Sequence, residues 1–257
     1  MSAYFESLNR RVSTAHVASG PALAPALEPG VVHPAQPVRV AARRLAPGAV
    51  PSAYALLRER LMLAAQGKTL KSLLFAGCNG GEGCTQVVSE LAESLASAGL
   101  NVLLVDADIR TAGLTSSIAV RGRDLTELVR TKDVPPAAPW GRGRLTVVPR
   151  PTALTDKETF LRSPDLAFWL DKQRVTYDYT FLDAPPILGH ADGTLAGLFC
   201  DGVVLVAKAG VTRGDALARA RQQIERTGGK ALGVVLTQVR NPIPDFLRRY
   251  LTVELDK

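Results

Sequence analysis

The chain has 257 residues, of which 46% are hydrophobic, and it carries a formal net charge of +7. This length and composition predict one large α/β domain with a tail, and they argue against a membrane-spanning helix because no apolar run approaches the roughly 18 residues that a bilayer requires. The basic residues are dispersed, without a run of five and without interleaved aromatic residues, so we expect no nucleic-acid interface.

Residues 1–47 predict a tail. A short amphipathic piece, residues 4–12, precedes a stretch rich in proline and alanine that cannot bury a core and is typical of an extended linker. We interpret the apolar-faced start as a docking segment on a tether; the alternative is a chain end without a role. The first residues lack the apolar core of a secretory signal, so we expect a cytoplasmic protein.

Residues 48–257 predict a doubly wound, mostly parallel α/β sheet. A helix capped by Ser52 and ended at Gly67 comes first, and strands and helices then alternate. Most of the strands read as continuous apolar runs, which is typical of strands buried on both faces. The predicted strands are 72–77, 101–106, 145–149, 179–183, 202–207 and 232–237. The predicted helices are 84–98, 163–173, 191–199, 213–227 and a terminal helix over 244–251.

A glycine-rich loop joins the first predicted strand to its helix. Residues 77–85 resemble the phosphate-loop pattern G-x-x-x-x-G-K-[ST], but five residues instead of four separate Gly77 from Gly83, and Cys84 stands in place of the lysine. In such a loop, backbone N–H groups and the helix N-terminus hold phosphate oxygens, while a hydroxyl at Thr85 would hold Mg²⁺. The nucleotide-binding residues that we predict are Gly80, Gly81, Glu82, Gly83, Cys84 and Thr85.

Acidic residues end two other strands. Asp106 and Asp108 follow the second strand, and Asp183 follows the fourth. Because parallel strands end at one edge of the sheet, these carboxylates should face the loop, where Thr85, Asp106 and Asp183 would form a Mg²⁺ site. The alternative is that each aspartate only caps the turn that follows it.

These motifs resemble a known family. The loop 79–85, the strand end Asp106-Ala107-Asp108-Ile109-Arg110 and the turn Asp183-Ala184-Pro185-Pro186 are similar to the P-G-E-G-K-[ST], D-A-D-x-R and D-x-P-P motifs of bacterial tyrosine kinases (BY-kinases). These kinases belong to the MinD/ParA-like branch of P-loop proteins and work with polysaccharide co-polymerases in capsule and exopolysaccharide export. The resemblance covers about residues 50–240, including the segment 204–213.

The resemblance carries expectations about cofactor, partner and site. It implies ATP or ADP with Mg²⁺, a catalytic acid pair at Asp106 and Asp108, and a homo-oligomer. It also implies a cytoplasmic protein that reaches the inner membrane through a polysaccharide co-polymerase or another export protein, with residues 1–12 as the contact.

The chain departs from the family at the loop lysine and at three other characteristic positions or segments. Cys84 replaces the loop lysine, and Asn79 stands where partition-type relatives carry a second lysine. The family's E-x-x-R-x-x-R oligomerisation helix keeps only Arg58, its C-terminal tyrosine cluster is reduced to Tyr250, and the asparagine that closes the last strand is Thr237.

From these departures we expect a BY-kinase-like pseudokinase that acts as a scaffold or regulator, with Asp108 a vestige of the acid pair and nucleotide binding weak or absent. Two alternatives stay open. One is an active tyrosine autokinase or ATPase in which Arg110 or Lys208 replaces the missing lysine. The other is a MinD/ParA-like partition or positioning protein, against which Glu82 and the Asp106–Arg110 motif favour the kinase branch.

Overall fold

The structure is a computed structural model that describes residues 38–40, 52–64, 70–111, 113–118, 122–152, 156–190 and 192–239. The predicted docking segment and the predicted terminal helix 244–251, with Tyr250, lie outside the described residues. The division at residue 47 therefore stays a prediction, although the short strand Val38–Val40 falls within the predicted linker.

The strands of the described residues form one sheet. They are β1 Val38–Val40, β2 Ser72–Gly77, β3 Asn101–Asp106, β4 Pro139–Trp140, β5 Gly143–Val148, β6 Tyr179–Ala184, β7 Gly202–Lys208 and β8 Ala231–Thr237. Their order across the sheet is β1-β8-β7-β2-β6-β3-β5-β4. All described pairs are parallel except β4 with β5. The predicted mostly parallel, doubly wound sheet is confirmed.

Helices connect these strands and cover both faces of the sheet. They are α1 Ser52–Ala64, α2 Cys84–Ser97, α3 Gly113–Ile118, α4 Leu125–Thr131, α5 Lys157–Leu161, α6 Pro164–Thr176, α7 Asp192–Leu195 and α8 Gly214–Arg226. Helices α1, α2 and α3 pack on one face, and α4 to α8 pack on the other.

The sequence prediction needs correction at several elements. The helix expected over 191–199 is a short α-helix followed by a 3₁₀ turn, Ala196–Phe199, and the predicted stop at Gly67 lies outside the described residues. Helices α3, α4 and α5 and strand β4 were not predicted, because each is too short to show a periodic apolar pattern.

Alternate strand residues supply two separate cores. Leu74 and Leu182 belong to the core under α4–α8, whereas Phe75 and Phe181 belong to the core under α1–α3. The two phenylalanine rings meet edge to face across neighbouring strands, with centroids 5.3 Å apart. Burial on both faces explains why the central strands lack polar alternation.

The strand order brings the predicted motifs together. Strand β6 lies between β2, which leads into the glycine loop, and β3. In the sheet register Asp183 is opposite Phe75 on one side and Asp106 on the other. The loop and both aspartates therefore share the carboxyl edge of three adjacent strands, where ligands bind in open α/β sheets.

Candidate functional site

The glycine loop between β2 and α2 curls in a way that only glycine permits easily. Gly80, Gly81 and Gly83 have φ angles of +102°, +78° and +87°, in the left-handed region. Gly83 is the N-cap of α2, and no side chain caps the helix there. The first N–H groups of a 14-residue helix therefore face the loop without a side-chain acceptor, which is the arrangement that binds a phosphate.

The loop folds over its own glutamate. Glu82 is only 4% exposed, and its carboxylate accepts hydrogen bonds from the backbone N–H of Asn79 (2.9 Å) and of Gly80 (2.7 Å). The sequence motif included Glu82 among the ligand-binding residues, but this internal contact carries no sequence signal.

Cys84 begins α2 and sits beside Asp183. Burial, followed by the neighbouring Asp183 carboxylate, raises the pKa of the Cys84 thiol well above its ordinary value. The side chain is therefore a neutral thiol near neutral pH. It supplies neither a cation for phosphate oxygens nor a reactive thiolate.

Thr85 and Asp183 are in direct contact. The Thr85 hydroxyl donates to Asp183 Oδ2 at 2.6 Å, while Asp183 Oδ1 is buried without a partner. Burial raises the pKa of Asp183 to about 7; the hydrogen bonds from Thr85 and Cys84 oppose this shift, and the nearby aspartates add to it. An open carboxylate oxygen beside a threonine hydroxyl is a suitable donor pair for a hard cation.

Asp106, on the neighbouring strand, accepts hydrogen bonds on both of its carboxylate oxygens. One of its oxygens accepts from the backbone N–H of Thr115 (2.8 Å) and from the Thr115 hydroxyl, and the other accepts from the N–H of Asp108 (3.2 Å). The Thr115 hydroxyl in turn accepts from the N–H of Arg150 at 3.1 Å. Burial raises the pKa of Asp106 despite the Thr115 contacts. Sequence reasoning missed Thr115, because a single threonine in a short helix carries no motif.

Asp108 turns back on its own loop. Its carboxylate accepts from the N–H groups of Arg110 and Thr111, both at 3.0 Å, and from the Thr111 hydroxyl. This is the capping role that the sequence analysis weighed against a catalytic one. The catalytic assignment of Asp106 and Asp108 stays a prediction.

The predicted Mg²⁺ ligands are thus close but unequally available. No group of three or more His, Cys, Asp or Glu side chains is arranged to hold a metal ion within the described residues. Mg²⁺ normally takes only one or two carboxylates and completes its shell with water and phosphate. Thr85 and Asp183 fit that pattern, whereas Asp106 already accepts three hydrogen bonds.

Two further loops hold the site in place. The turn after β6 donates from Ile187 N–H to the carbonyl of Gly77 and from Leu188 N–H to that of Cys78, each at 3.0 Å. At the end of β8, the Thr237 hydroxyl donates to the carbonyl of Glu82 at 2.6 Å. The residue that replaces the family's asparagine therefore contacts the loop directly.

The candidate substitute cations lie at the same edge. Lys208 ends β7, two residues beyond the position that pairs with Gly77, and its N–H donates to the Thr212 hydroxyl at 2.9 Å. Arg110 is exposed and follows the Asp108 turn. Whether either side chain reaches a bound phosphate stays a prediction.

Helix α1 is tied to the loop helix. Tyr54 is buried and donates to the carboxylate of Glu90 on α2, which also accepts from Gln86 at 2.8 Å. Burial, reinforced by Glu90, raises the pKa of the Tyr54 hydroxyl, so that this side chain stays protonated. The helix with the remnant oligomerisation motif is thereby linked to the first turn of α2.

Known proteins share this sequence and fold. The tyrosine-protein kinase CpsD of Streptococcus agalactiae is 30% identical over 192 residues, covering 70% of this chain and 80% of CpsD. The succinoglycan biosynthesis transport protein ExoP of Rhizobium meliloti is 28% identical over 165 residues, 61% of this chain but only 21% of ExoP. The kinase domain of the Escherichia coli tyrosine kinase ETK superposes with a TM-score of 0.65 at 22% identity, covering 76% of this chain and 78% of that domain. No protein-family model matches the chain.

Among the helices of the described residues, none combines the length and the apolar content needed to cross a bilayer.

Proposed function

Since the chain belongs to the bacterial tyrosine kinase (BY-kinase) family, we propose that it is a scaffold or regulator of polysaccharide synthesis and export that holds a nucleotide without turning it over efficiently. The observation that carries the proposal is Cys84, a neutral side chain at the lysine position of an otherwise formed phosphate loop. The name of the relative ExoP, succinoglycan biosynthesis transport protein, supports the link to polysaccharide.

The proposed ligand is a nucleoside di- or triphosphate with Mg²⁺. The N–H groups at the start of α2 would hold phosphate oxygens, and Thr85 with Asp183 would hold the cation. When bound, Mg²⁺ neutralises phosphate charge and orients the terminal phosphate. The unpartnered Asp183 Oδ1, buried beside the Thr85 hydroxyl, supports this assignment.

Weak turnover follows from what the loop lacks. A hydrogen bond to a charged group contributes about 1.5–3 kcal/mol, so a missing lysine weakens nucleotide binding by roughly tenfold to a hundredfold. A missing transition-state donor costs on the order of 10²–10³ in rate. The loss of affinity alone still permits nucleotide binding, whereas catalysis is reduced both by the lower affinity and by the lower rate.

Restoring the cation tests the nucleotide part of the proposal. Cys84→Lys should strengthen ADP and ATP binding in the presence of Mg²⁺ by about tenfold to a hundredfold, measured by calorimetry. Cys84→Ala is the matched control, because it removes the thiol without adding a charge and should leave affinity near that of the wild type. If the folded lysine variant binds no better, the loop does not hold phosphate in the family's manner and the proposed ligand is wrong.

An active kinase is the second candidate. It is favoured by the name that CpsD carries, tyrosine-protein kinase, and by the position of Lys208 beside the loop strand. Purified protein incubated with ATP and Mg²⁺ should show little hydrolysis and little phosphotyrosine if it is a scaffold. Phosphorylation that disappears in Asp106→Asn would instead establish the kinase.

The scaffold role needs partners. We propose a cytoplasmic protein that meets an inner-membrane export protein, such as a polysaccharide co-polymerase, through residues 1–12, and that associates with itself through α1. Leu56 and Leu63 support self-association, because they lie seven residues apart on one helix face and are 42% and 69% exposed. Sedimentation velocity should show an oligomer that Leu56→Glu with Leu63→Glu dissociates; a monomeric wild type would exclude α1 as the contact.

A further inference from the structure

We propose that Glu82 braces the phosphate loop in an open, ligand-ready shape, and so supplies the positioning that the loop would otherwise draw from its lysine. This inference rests on the proposed function, since it concerns how the same loop receives a phosphate. It makes Glu82 a positioning residue whose carboxylate does not touch the ligand.

The contacts of the side chain are all internal to the loop. Both carboxylate oxygens accept backbone hydrogen bonds, one from Asn79 and one from Gly80. Hydrogen bonds to a charged acceptor are stronger than neutral ones, and a buried carboxylate requires them. Glu82 therefore fixes the direction of the two peptide groups that open the loop, at positions where Gly80 and Gly81 would otherwise leave the backbone free.

The carboxylate lies beneath the loop, away from its mouth. A methyl group added at Gly77, the last residue of β2, would lie 2.6 Å from Glu82 Oε2, so the side chain occupies the space that glycine leaves open. With Glu82 buried and Gly77 at the base of the loop, the brace sits between the strand end and the loop backbone.

The backbone of Glu82 is held from the other side. Its carbonyl accepts the Thr237 hydroxyl at 2.6 Å, which ties the middle of the loop to the end of β8. Side chain and main chain of one residue thus anchor both halves of the loop. A loop fixed in this way does not need a lysine to keep its shape.

Glu82 could instead act as a plug, a carboxylate sitting where a phosphate belongs. The geometry favours the brace, because the carboxylate takes N–H groups from Asn79 and Gly80, ahead of the helix start. The N–H groups of the first turn of α2 are those that face a phosphate, and no side chain caps that turn. A plug would accept hydrogen bonds from that turn.

Three variants distinguish the effect of the position of the Glu82 carboxylate from the effect of its charge. Glu82→Ala removes the brace, and Glu82→Gln keeps its size but presents an N–H₂ group to one of the two N–H donors. Gly77→Ala keeps the charge of Glu82 and displaces its carboxylate. Glu93→Gln is the matched control, since it removes one acidic charge from α2 at a distance from the loop.

Two measurements apply to each variant. The first is amide hydrogen exchange at residues 79 and 80 in the unliganded protein, followed by NMR. The second is calorimetry with ADP and Mg²⁺, in the wild-type background and in Cys84→Lys. The lysine background keeps the second measurement informative if the wild type binds too weakly, so failure of the proposed ligand remains distinguishable from failure of the brace.

We expect slow exchange at both amides in the wild type and fast exchange in Glu82→Ala and Gly77→Ala. The same two variants should weaken ADP binding about tenfold, the loss expected when a charge-assisted contact disappears. Glu82→Gln should weaken it by a smaller factor, and the control Glu93→Gln should bind ADP as the wild type does. Fast exchange in the wild type, or unchanged or tighter binding by Glu82→Ala, would overturn the proposal; tighter binding would identify Glu82 as a plug.

Discussion

Replacing Asp183 by asparagine should stabilise the unliganded protein, and increasingly so as the pH rises. The carboxylate is 2% exposed, one oxygen has no partner, and its pKa is raised from 3.8 to about 7, chiefly by burial. Folding therefore favours the protonated form. Below pH 3.8 both states bind the proton; between 3.8 and about 7 only the folded state does, so stability falls as the pH rises.

The magnitude follows from linkage. The upward shift from 3.8 to about 7 corresponds to about 4 kcal/mol over the full range, of which about 2–3 kcal/mol is lost between pH 5 and pH 8. Asparagine carries no proton to lose and still offers an oxygen to the Thr85 hydroxyl. The stability of Asp183→Asn relative to the wild type should therefore rise by about that amount from pH 5 to pH 8.

Urea denaturation in the presence of a chelator, at both pH values, measures this difference. Asp165→Asn is the control, because it makes the same carboxylate-to-amide change at an exposed side chain. A difference between Asp183→Asn and the wild type that stays constant with pH would refute the reasoning, since it would mean that the folded protein ionises Asp183 as easily as the unfolded chain does.

Three further predictions concern the supports of the site and the tail. Thr115→Val should destabilise the fold by about 1–3 kcal/mol in urea denaturation, because Asp106 loses a buried hydroxyl donor, and Thr115→Ser should restore most of the loss. Asp201→Asn should cost about 2 kcal/mol at pH 7, because Asp201 accepts from Arg174 and has a lowered pKa; the cost should begin to fall below about pH 4, where the unfolded carboxyl takes up a proton, and should be lost as the pH falls through the lowered pKa of the folded protein. Deleting residues 1–12 should leave the melting temperature unchanged and weaken recovery of a membrane partner in pull-downs; a large fall in melting temperature would mean that the segment packs on the domain.

The central strands of the sheet were predictable because they are buried on both faces. Most of the predicted strands, such as 72–77 or 202–207, are continuous apolar runs between turn residues, and the structure has a strand at each predicted place. The short elements were not predictable, since stretches as short as α3 and β4 show no period in the sequence.

The sequence was sufficient to predict which strand ends meet at the candidate site, but not the hydrogen bonds that each side chain makes there. Glycine spacing and two acidic strand ends were enough to expect that Thr85, Asp106 and Asp183 share an edge. Sequence could not reveal how those acids differ, because the difference comes from Thr115 and from the Asp108 turn. Hydrogen-bond partners that are distant along the chain have no local pattern.

The two central aspartates have different consequences for a ligand. Asp106 already accepts three hydrogen bonds, from Thr115 and from the N–H of Asp108, so a cation that recruited it would compete with donors already in place. Asp183 has a vacant, buried oxygen and a pKa of about 7, so a cation can bind it by displacing at most a proton. A buried carboxylate that gains a cation is also relieved of its desolvation penalty. The cation of a metal–nucleotide complex should therefore bind Asp183 first, while Asp106 keeps its present hydrogen bonds at the side of the site.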